Sequence, residues 1–319
     1  MIKNILVTGT SGYVGQELLK KFISMKESTD SIGEVIAIDI KNPTHKVEGA
    51  KYFEKDIRDQ SIDNIFEDFK INVVIHLACV LSPTERIPKD VMYDINVEGT
   101  RNIIRALKKY KVERFSFASS GAAYGYYEES LNWLTEDKPI RGNEEFPYSF
   151  HKRINEVDLV RLKKSNPEIK QFIFRIGTVL GRNVDNLITD LFKKPFILGI
   201  KNSDAPFVFI WDEDLVNIFV ESVFSENEGI YNVAGDGAVK MSEIASTLNK
   251  KYLPIPSRVV ESALFVLNKF GLSQYGPEQV KFLKYRPVLK NDALKDKFGY
   301  VPQKTSEQTF SYFLENGVI

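Results

Sequence analysis

Apolar residues in roughly the first 180 positions of the chain follow two alternating spacings. Short runs rich in Val, Ile and Phe, at residues 4–8, 34–39, 51–54, 73–77, 114–119 and 171–176, predict strands. Several are apolar at consecutive positions, as in Val73-Val74-Ile75, which suits a sheet covered on both faces. Between these runs the apolar residues recur three and four apart. Leu18, Leu19, Phe22 and Ile23 form one such stripe; Ile103, Ile104 and Leu107 form another. Strands alternating with helices predict βαβ units, hence an α/β fold with a parallel sheet. The second half is less regular and is interrupted by Pro195, Pro206, Pro254, Pro256, Pro287 and Pro302. It predicts short strands at 207–210 and 230–233 and helices at 214–224, 241–250 and 307–316.

The division follows from this change of pattern. Residues 1–178 are expected to form a doubly wound parallel sheet. Residues 179–319 are expected to form a smaller C-terminal α/β lobe, mainly for substrate, with some segments returning to the sheet. An apolar stretch at 259–270 carries Glu261, Asn268 and Lys269. It reads as an amphipathic helix resting on a core, and the same stripe also fits a helix facing a membrane surface or a partner.

One local motif gives the first half a chemistry. Gly9, Gly12 and Gly15 sit three apart in Thr8-Gly9-Thr10-Ser11-Gly12-Tyr13-Val14-Gly15, after an apolar run and before a helical stripe. Glycine permits a sharp turn and lets backbone N–H groups approach a phosphate, while the helix that follows aims its positive end at the anion. Asp39 ends the second predicted strand, about 20 residues farther on, where a carboxylate can accept hydrogen bonds from an adenosine ribose. It would repel a 2′-phosphate. The expectation is a Rossmann-type domain binding NAD rather than NADP, with Tyr13 and Val14 at the pyrophosphate turn.

Composition narrows the alternatives. Lys+Arg and Asp+Glu both number 43, so no polycationic character points to nucleic acid or to an anionic membrane. Cys79 is the only cysteine, which leaves no internal disulfide to expect. The N-terminal run has no apolar h-region or cleavage site, and no apolar stretch reaches the roughly 18 residues of a spanning helix. A cytoplasmic chain without membrane or nucleic-acid partners is expected. His45, His76 and His151 lack the spacing of metal ligands, and Gly235-Asp236-Gly237 is a turn signal rather than a calcium loop, so no metal is expected.

Tyr148-Ser149-Phe150-His151-Lys152 places a tyrosine and a lysine at i and i+4, on one helix face. A free tyrosine has a pKa of about 10, and a nearby ammonium favours its phenolate. Such a tyrosine can exchange a proton with a substrate hydroxyl while a nicotinamide exchanges hydride with the same carbon.

With the glycine turn before it, this pair resembles the extended branch of the short-chain dehydrogenase/reductase superfamily, the NAD-dependent epimerase/dehydratase family. The resemblance covers nearly the whole chain. Phe117-Ala118-Ser119-Ser120-Gly121-Ala122-Ala123-Tyr124-Gly125 resembles the family's S-S-x-x-x-Y-G signature, which makes Ser120 the expected catalytic hydroxyl. Ser119 then becomes a structural or cofactor-facing neighbour, beside Ala118. The implied trio is Ser120 to position the reacting oxygen, Tyr148 as acid/base, and Lys152 to lower its pKa and touch the nicotinamide ribose. The resemblance assigns Asp56 and Ile57 to the adenine ring and His76-Leu77-Ala78-Cys79 to a loop along the cofactor. It puts Asn96 near the active site, and Ile176 and Gly177 in the segment turning toward the substrate lobe. Val80, Ser82, Thr178, Phe207 and Phe209 join Ser120 and Tyr148 as candidate substrate contacts. A homodimer through the helices after Asn96 and after Tyr148 is implied.

The chain departs from the family's nucleotide-sugar 4-epimerases at two positions. Thr178 stands where they have asparagine, and Phe207 where they have a diphosphate-gripping arginine, which removes a charge and five donors. Arg182, Lys201 and Arg286 are other possible phosphate partners. Gly121-Ala122 replaces the Asp-Glu pair of the dehydratases, which disfavours dehydration. Three readings follow. The first is hydride transfer at a secondary alcohol of a sugar or nucleotide sugar, in the manner of a 4-epimerase. The second is a hydroxyl dehydrogenase or ketone reductase for a less polar substrate. The third is a non-catalytic NAD-binding regulator.

Overall fold

The computed structural model describes residues 2–272 and 276–317 of the 319. Its first half contains β1 (Lys3–Thr8), α1 (Tyr13–Ser28), β2 (Ile32–Asp39), β3 (Lys51–Glu54), α2 (Asp63–Asp68) and β4 (Val73–His76). It continues with α3 (Lys89–Tyr93), α4 (Gly99–Lys109), β5 (Arg114–Ser120), α5 (Pro147–Ser165) and β6 (Lys170–Ile176). The second half adds β7 (Thr178–Leu180), α6 (Leu187–Lys193), β8 (Phe196–Ile200), β9 (Phe209–Trp211), α7 (Asp212–Ser222) and β10 (Gly229–Val233). It ends with α8 (Met241–Thr247), β11 (Lys251–Ile255), α9 (Ser257–Lys269), α10 (Gln279–Lys284) and α11 (Ser306–Asn316).

Seven strands form one parallel sheet in the order β3-β2-β1-β4-β5-β6-β10. The consecutive apolar residues of the strands are explained by what covers each face. Ile5, Val7, Val73 and Ile75 meet Leu18, Leu19 and Phe22 of α1 and Leu215 and Phe219 of α7. Leu6 and Val74, one pleat out of phase, meet Ile103 and Leu107 of α4 and Leu159 and Leu162 of α5. Chain order reverses between β1 and β4, so a crevice opens at their carboxyl ends, the usual ligand position in such sheets. The turn after β1 and the loop after β4 lie there.

The smaller lobe has its own aromatic core, in which Phe192, Phe207, Phe209, Phe310 and Phe313 pack with Leu180 and Ile244. Two short parallel pairs, β7 with β9 and β8 with β11, frame it. The strand predicted at 207–210 forms instead at Phe209–Trp211, because Phe207 bridges Val239 in the opposite sense. The helix predicted at 241–250 stops at Thr247; Asn249 takes φ 52°, and β11 begins two residues later. The helix predicted at 259–270 forms as α9, but none of its residues is buried, so the expectation that it rests on a core is overturned. Of its apolar residues only Val260 and Leu264 are half-buried.

Candidate active site

Backbone contacts leave no room for side chains in the glycine turn. Gly9 has φ 76°, and a Cβ there would lie 2.7 Å from the Ala78 nitrogen. A Cβ on Gly15 would lie 2.7 Å from the Gly9 oxygen. Gly12 accepts the first helical bond, from Gln16, and α1 starts with no side chain capping its first turn. The Asp39 carboxylate accepts the Ser11 N–H at 2.8 Å, which fixes it at the end of β2. Thr10 Oγ1 is buried with no partner among the described residues. A cradle that a Cβ would fill, a helix start with open N–H groups and an orphaned hydroxyl together fit a dinucleotide phosphate. Val14 is half-buried beneath the turn. The Tyr13 side chain leaves it altogether: its hydroxyl donates to Asp212 at the start of α7, so only its backbone serves the turn. Asp56 accepts a forked bond from Arg58 at 2.6–3.0 Å, which holds its carboxyl below the usual range, and Ile57 packs under Gly99.

A buried hydrogen-bond chain shapes the loop after β4. Thr100 donates to the Asn96 carbonyl at 2.7 Å, so it accepts from His76 Nε2–H at 3.0 Å. His76 Nδ1 then accepts from Thr8, at 2.7 Å. The ring is neutral, and burial with the nearby Lys152 pushes its pKa down to about 3. Asn96 grips the loop itself: Oδ1 accepts the Val80 N–H at 2.7 Å and Nδ2 donates to the Val80 oxygen at 2.8 Å. Asn96 therefore positions Leu77-Ala78-Cys79-Val80, and its Nδ2 also reaches His151 Nδ1 at 3.3 Å. Cys79 stays a thiol, since burial pushes it up against the pull of Lys152. Ser82 is half-buried just beyond.

The expected trio comes together at the end of β5 and the start of α5. Ser120 caps a short 3₁₀ turn, accepting from Ala122 N–H at 3.1 Å, and interacts with the Tyr148 hydroxyl. Lys152 is buried; its ammonium donates to the Ala118 carbonyl at 2.6 Å and lies 5.5 Å from the Tyr148 ring centre. The expected lowering of Tyr148 is not found. Burial and neighbouring Cys79 push the phenol above its ordinary value, and only Ser120 opposes them. Lys152 is engaged by Ala118 and lies toward Phe117, 4.8 Å from that ring.

Ser119 points the other way, donating to Glu156 at 2.5 Å. Glu156 was not anticipated. It sits four residues beyond Lys152 on the face of α5 that carries Tyr148, a spacing visible in the sequence. It is buried and paired with Arg175, whose Nη2 donates at 2.7 Å; Arg175 Nη1 donates to Tyr124 at 2.8 Å. This pair locks α5 against β5 and β6 directly under the trio.

Ile176 ends β6 and Gly177 follows it, and the Gly177 and Thr178 N–H groups are tied to Val233 and Val208. Thr178 is half-buried. Phe209 is 0% exposed and Phe207 3%; they stack on each other 5.5 Å apart. Their assignment as substrate contacts is therefore corrected: both fill the lobe's core. Phe207 supports a different residue, Arg286, whose guanidinium stacks 3.9 Å from its ring centre. Arg286 is buried, with one bond to the Ala205 oxygen and no partner for Nε or Nη2 among the described residues. Phe282 lies 5.2 Å from it and 5.4 Å from Tyr126, in a cluster that includes Tyr148. Among the described residues no group of three or more His, Cys, Asp or Glu could hold a metal.

Residues 5–234 match the model of the NAD dependent epimerase/dehydratase family. A putative UDP-glucose 4-epimerase of Methanocaldococcus jannaschii is 29% identical over 70% of this chain and 79% of its own length. The N-acetyl-α-D-glucosaminyl-diphospho-ditrans,octacis-undecaprenol 4-epimerase of Escherichia coli O157:H7 is 26% identical over 97% of this chain and 93% of its own. Other curated UDP-glucose 4-epimerases align over about 60% of their length. The structure of the Thermotoga maritima UDP-glucose 4-epimerase with UDP-glucose shares the fold, with TM-score 0.73 and 20% identity over 98% of this chain and 99% of that one. The chain belongs to the NAD-dependent epimerase/dehydratase family.

Proposed function

We propose that this chain is a 4-epimerase-type oxidoreductase whose substrate is a sugar carried on a diphosphate. The observation that carries this reading is Arg286, a buried guanidinium with two unpartnered nitrogens, joined to Tyr148 by one aromatic cluster. A buried cation with unmade hydrogen bonds is costly, and phosphate oxygens are its natural complement. Arg286 thus supplies what Phe207 took away. A less polar substrate would need an apolar wall in the site, such as Phe207, Phe209 and Trp211 could offer. The first two are core, and Trp211 lies under Lys304 at 4.1 Å. Relatives named for UDP-glucose and for an undecaprenol-diphosphate sugar support a common sugar-diphosphate chemistry.

The glycine turn, Asp39 and the Leu77–Val80 loop would hold the cofactor. When bound, NAD supplies hydride transfer at the carbon bearing the substrate hydroxyl. Ser120 would hold that oxygen, and Tyr148 Oη would take or return its proton. Lys152, fixed on Ala118, would keep a positive charge beside the exchange. Residues 1–178 are our cofactor lobe and 179–319 mainly our substrate lobe. We retain a homodimer through α4 and α5, where Val157 and Val160 are exposed, and a cytoplasmic location. The test is incubation of the NAD-loaded chain with UDP-glucose, UDP-N-acetylglucosamine and a polyprenyl-diphosphate sugar, with chromatography of the released sugars. A 4-epimer is expected, and Tyr148→Phe should slow its formation by about 10²–10⁴ while NAD is retained. Undiminished turnover in that variant would refute the mechanism, and no 4-epimer from any of the three would leave the regulator reading ahead.

A further inference from the structure

The stripe on α9 faces outward. Val259, Ala263, Val266 and Phe270 recur at intervals of four, three and four, which places them on one side, with Leu267 beside them. Val259 is 56% exposed, Val266 50% and Phe270 71%, and Leu272 just beyond the helix is 75% exposed. The half-buried positions, Ser257, Val260, Glu261 and Leu264, lie on a different side, so the helix is seated and still presents its apolar face to solvent. A contiguous exposed apolar face marks an interaction surface.

Charge identifies the occupant. Outside the buried Arg286, residues 250–284 hold six basic side chains, with Lys281 paired to Glu145, against two acidic ones, in a chain whose total charge is zero. An apolar helix face inside a basic segment is the signature of binding in the plane of an anionic membrane. Two copies of this face brought together would set basic against basic. At 13 residues α9 is about 20 Å long, short of the roughly 30 Å hydrocarbon core, and no helix among the described residues is long and apolar enough to cross. We infer that α9 docks this chain on the surface of an anionic lipid bilayer. This revises the expectation of no membrane partner that zero net charge suggested, because the charge is unevenly distributed. α10, which follows, carries Phe282 beside Arg286, so a docked chain holds its substrate side near the lipid.

Sedimentation of the full chain with vesicles tests this without any turnover, so it stands or falls apart from the substrate reading. Vesicles of phosphatidylcholine with about a third phosphatidylglycerol should pull the chain down, and phosphatidylcholine alone much less. Val266→Glu with Phe270→Glu, at exposed positions, should cut the bound fraction about tenfold with circular dichroism unchanged, and added salt should weaken binding. A chain that stays in solution with anionic vesicles, or a double variant that binds equally well, overturns the proposal. So does a concentration-dependent dimer in vesicle-free buffer that the double variant dissolves, since the face would then belong to a second copy.

Discussion

Arg175, under the trio, and Arg286, in the second half of the chain, are buried to the same degree, 3% and 4% exposed. Their surroundings are opposite. Arg175 spends its donors on Glu156, Tyr124 and the Glu136 carbonyl, and its carboxylate partner pushes its pKa up. Arg286 has one carbonyl, two aromatic faces and a pKa pushed down by burial. The first charge is satisfied within the fold and serves to fix elements. The second is left open by the fold, which is what a binding residue requires.

The sharpest way to break this contrast is to remove the satisfied arginine. Arg175→Leu leaves Glu156 buried without its cation, and Tyr124 loses a donor. Removing one partner of a buried pair typically costs about 3–5 kcal/mol, so urea unfolding should show a loss of that order. A loss below about 1 kcal/mol would mean that the pair does not lock α5, and Arg175 would no longer differ from Arg286 in kind.

The two arginines also divide what the sequence discloses. In the cofactor half, backbone geometry dictates residue type: Gly9 must be glycine because the Ala78 backbone fills the space of a Cβ. Periodicity and a single motif therefore locate β1, the turn, Asp39 and the trio. Strands buried on both faces also announce themselves. Glu156 was legible by spacing, yet a lone acid on a helix reads as solvated until Arg175 is seen against it. The smaller lobe depends on contacts between distant segments. Phe207 reads equally as pocket wall or core, and only its stacking under Arg286 decides. β7, β8 and β11 span three to five residues each, and β11 carries Pro254, too little for an alternation to register. On α9, spacing shows which residues share a face, but not whether that face meets protein or solvent.

A smaller effect is expected from the open arginine, with the opposite balance between stability and binding. Arg286→Met keeps much of the apolar stem between Phe207 and Phe282 and removes unpaired donors from the core. Stability should be unchanged or slightly higher. Affinity for UDP, measured by calorimetric titration, should fall at least tenfold, about 1.4 kcal/mol. If stability falls by several kcal/mol while UDP binds as before, Arg286 is a structural residue like Arg175, and the diphosphate reading loses its main support.

A third test asks whether satisfaction in the cofactor half depends on protonation. His76 completes the Thr8–His76–Thr100 chain only as a neutral ring, because Nδ1 must accept from Thr8 while Nε2 donates to Thr100. Its folded pKa, about 3, lies below the ordinary 6.5. Between those values the unfolded chain takes up a proton that the native ring refuses. The contribution to stability is therefore full above about pH 6.5 and shrinks as pH falls toward 3, by at most about 1.4 kcal/mol per pH unit. His151, pushed down to about 4 by burial and then by Lys152, acts in the same direction, so the wild-type slope alone does not isolate His76. His76→Gln keeps a donor and an acceptor without titrating. Urea unfolding between pH 7 and about 4.5 should give the variant a shallower decline than the wild type, and the difference belongs to His76. Identical slopes would mean that His76 can take a proton in place. The buried chain behind the glycine turn would then tolerate a charge, and the distinction between a satisfied first half and an arginine left open in the second would fail at its centre.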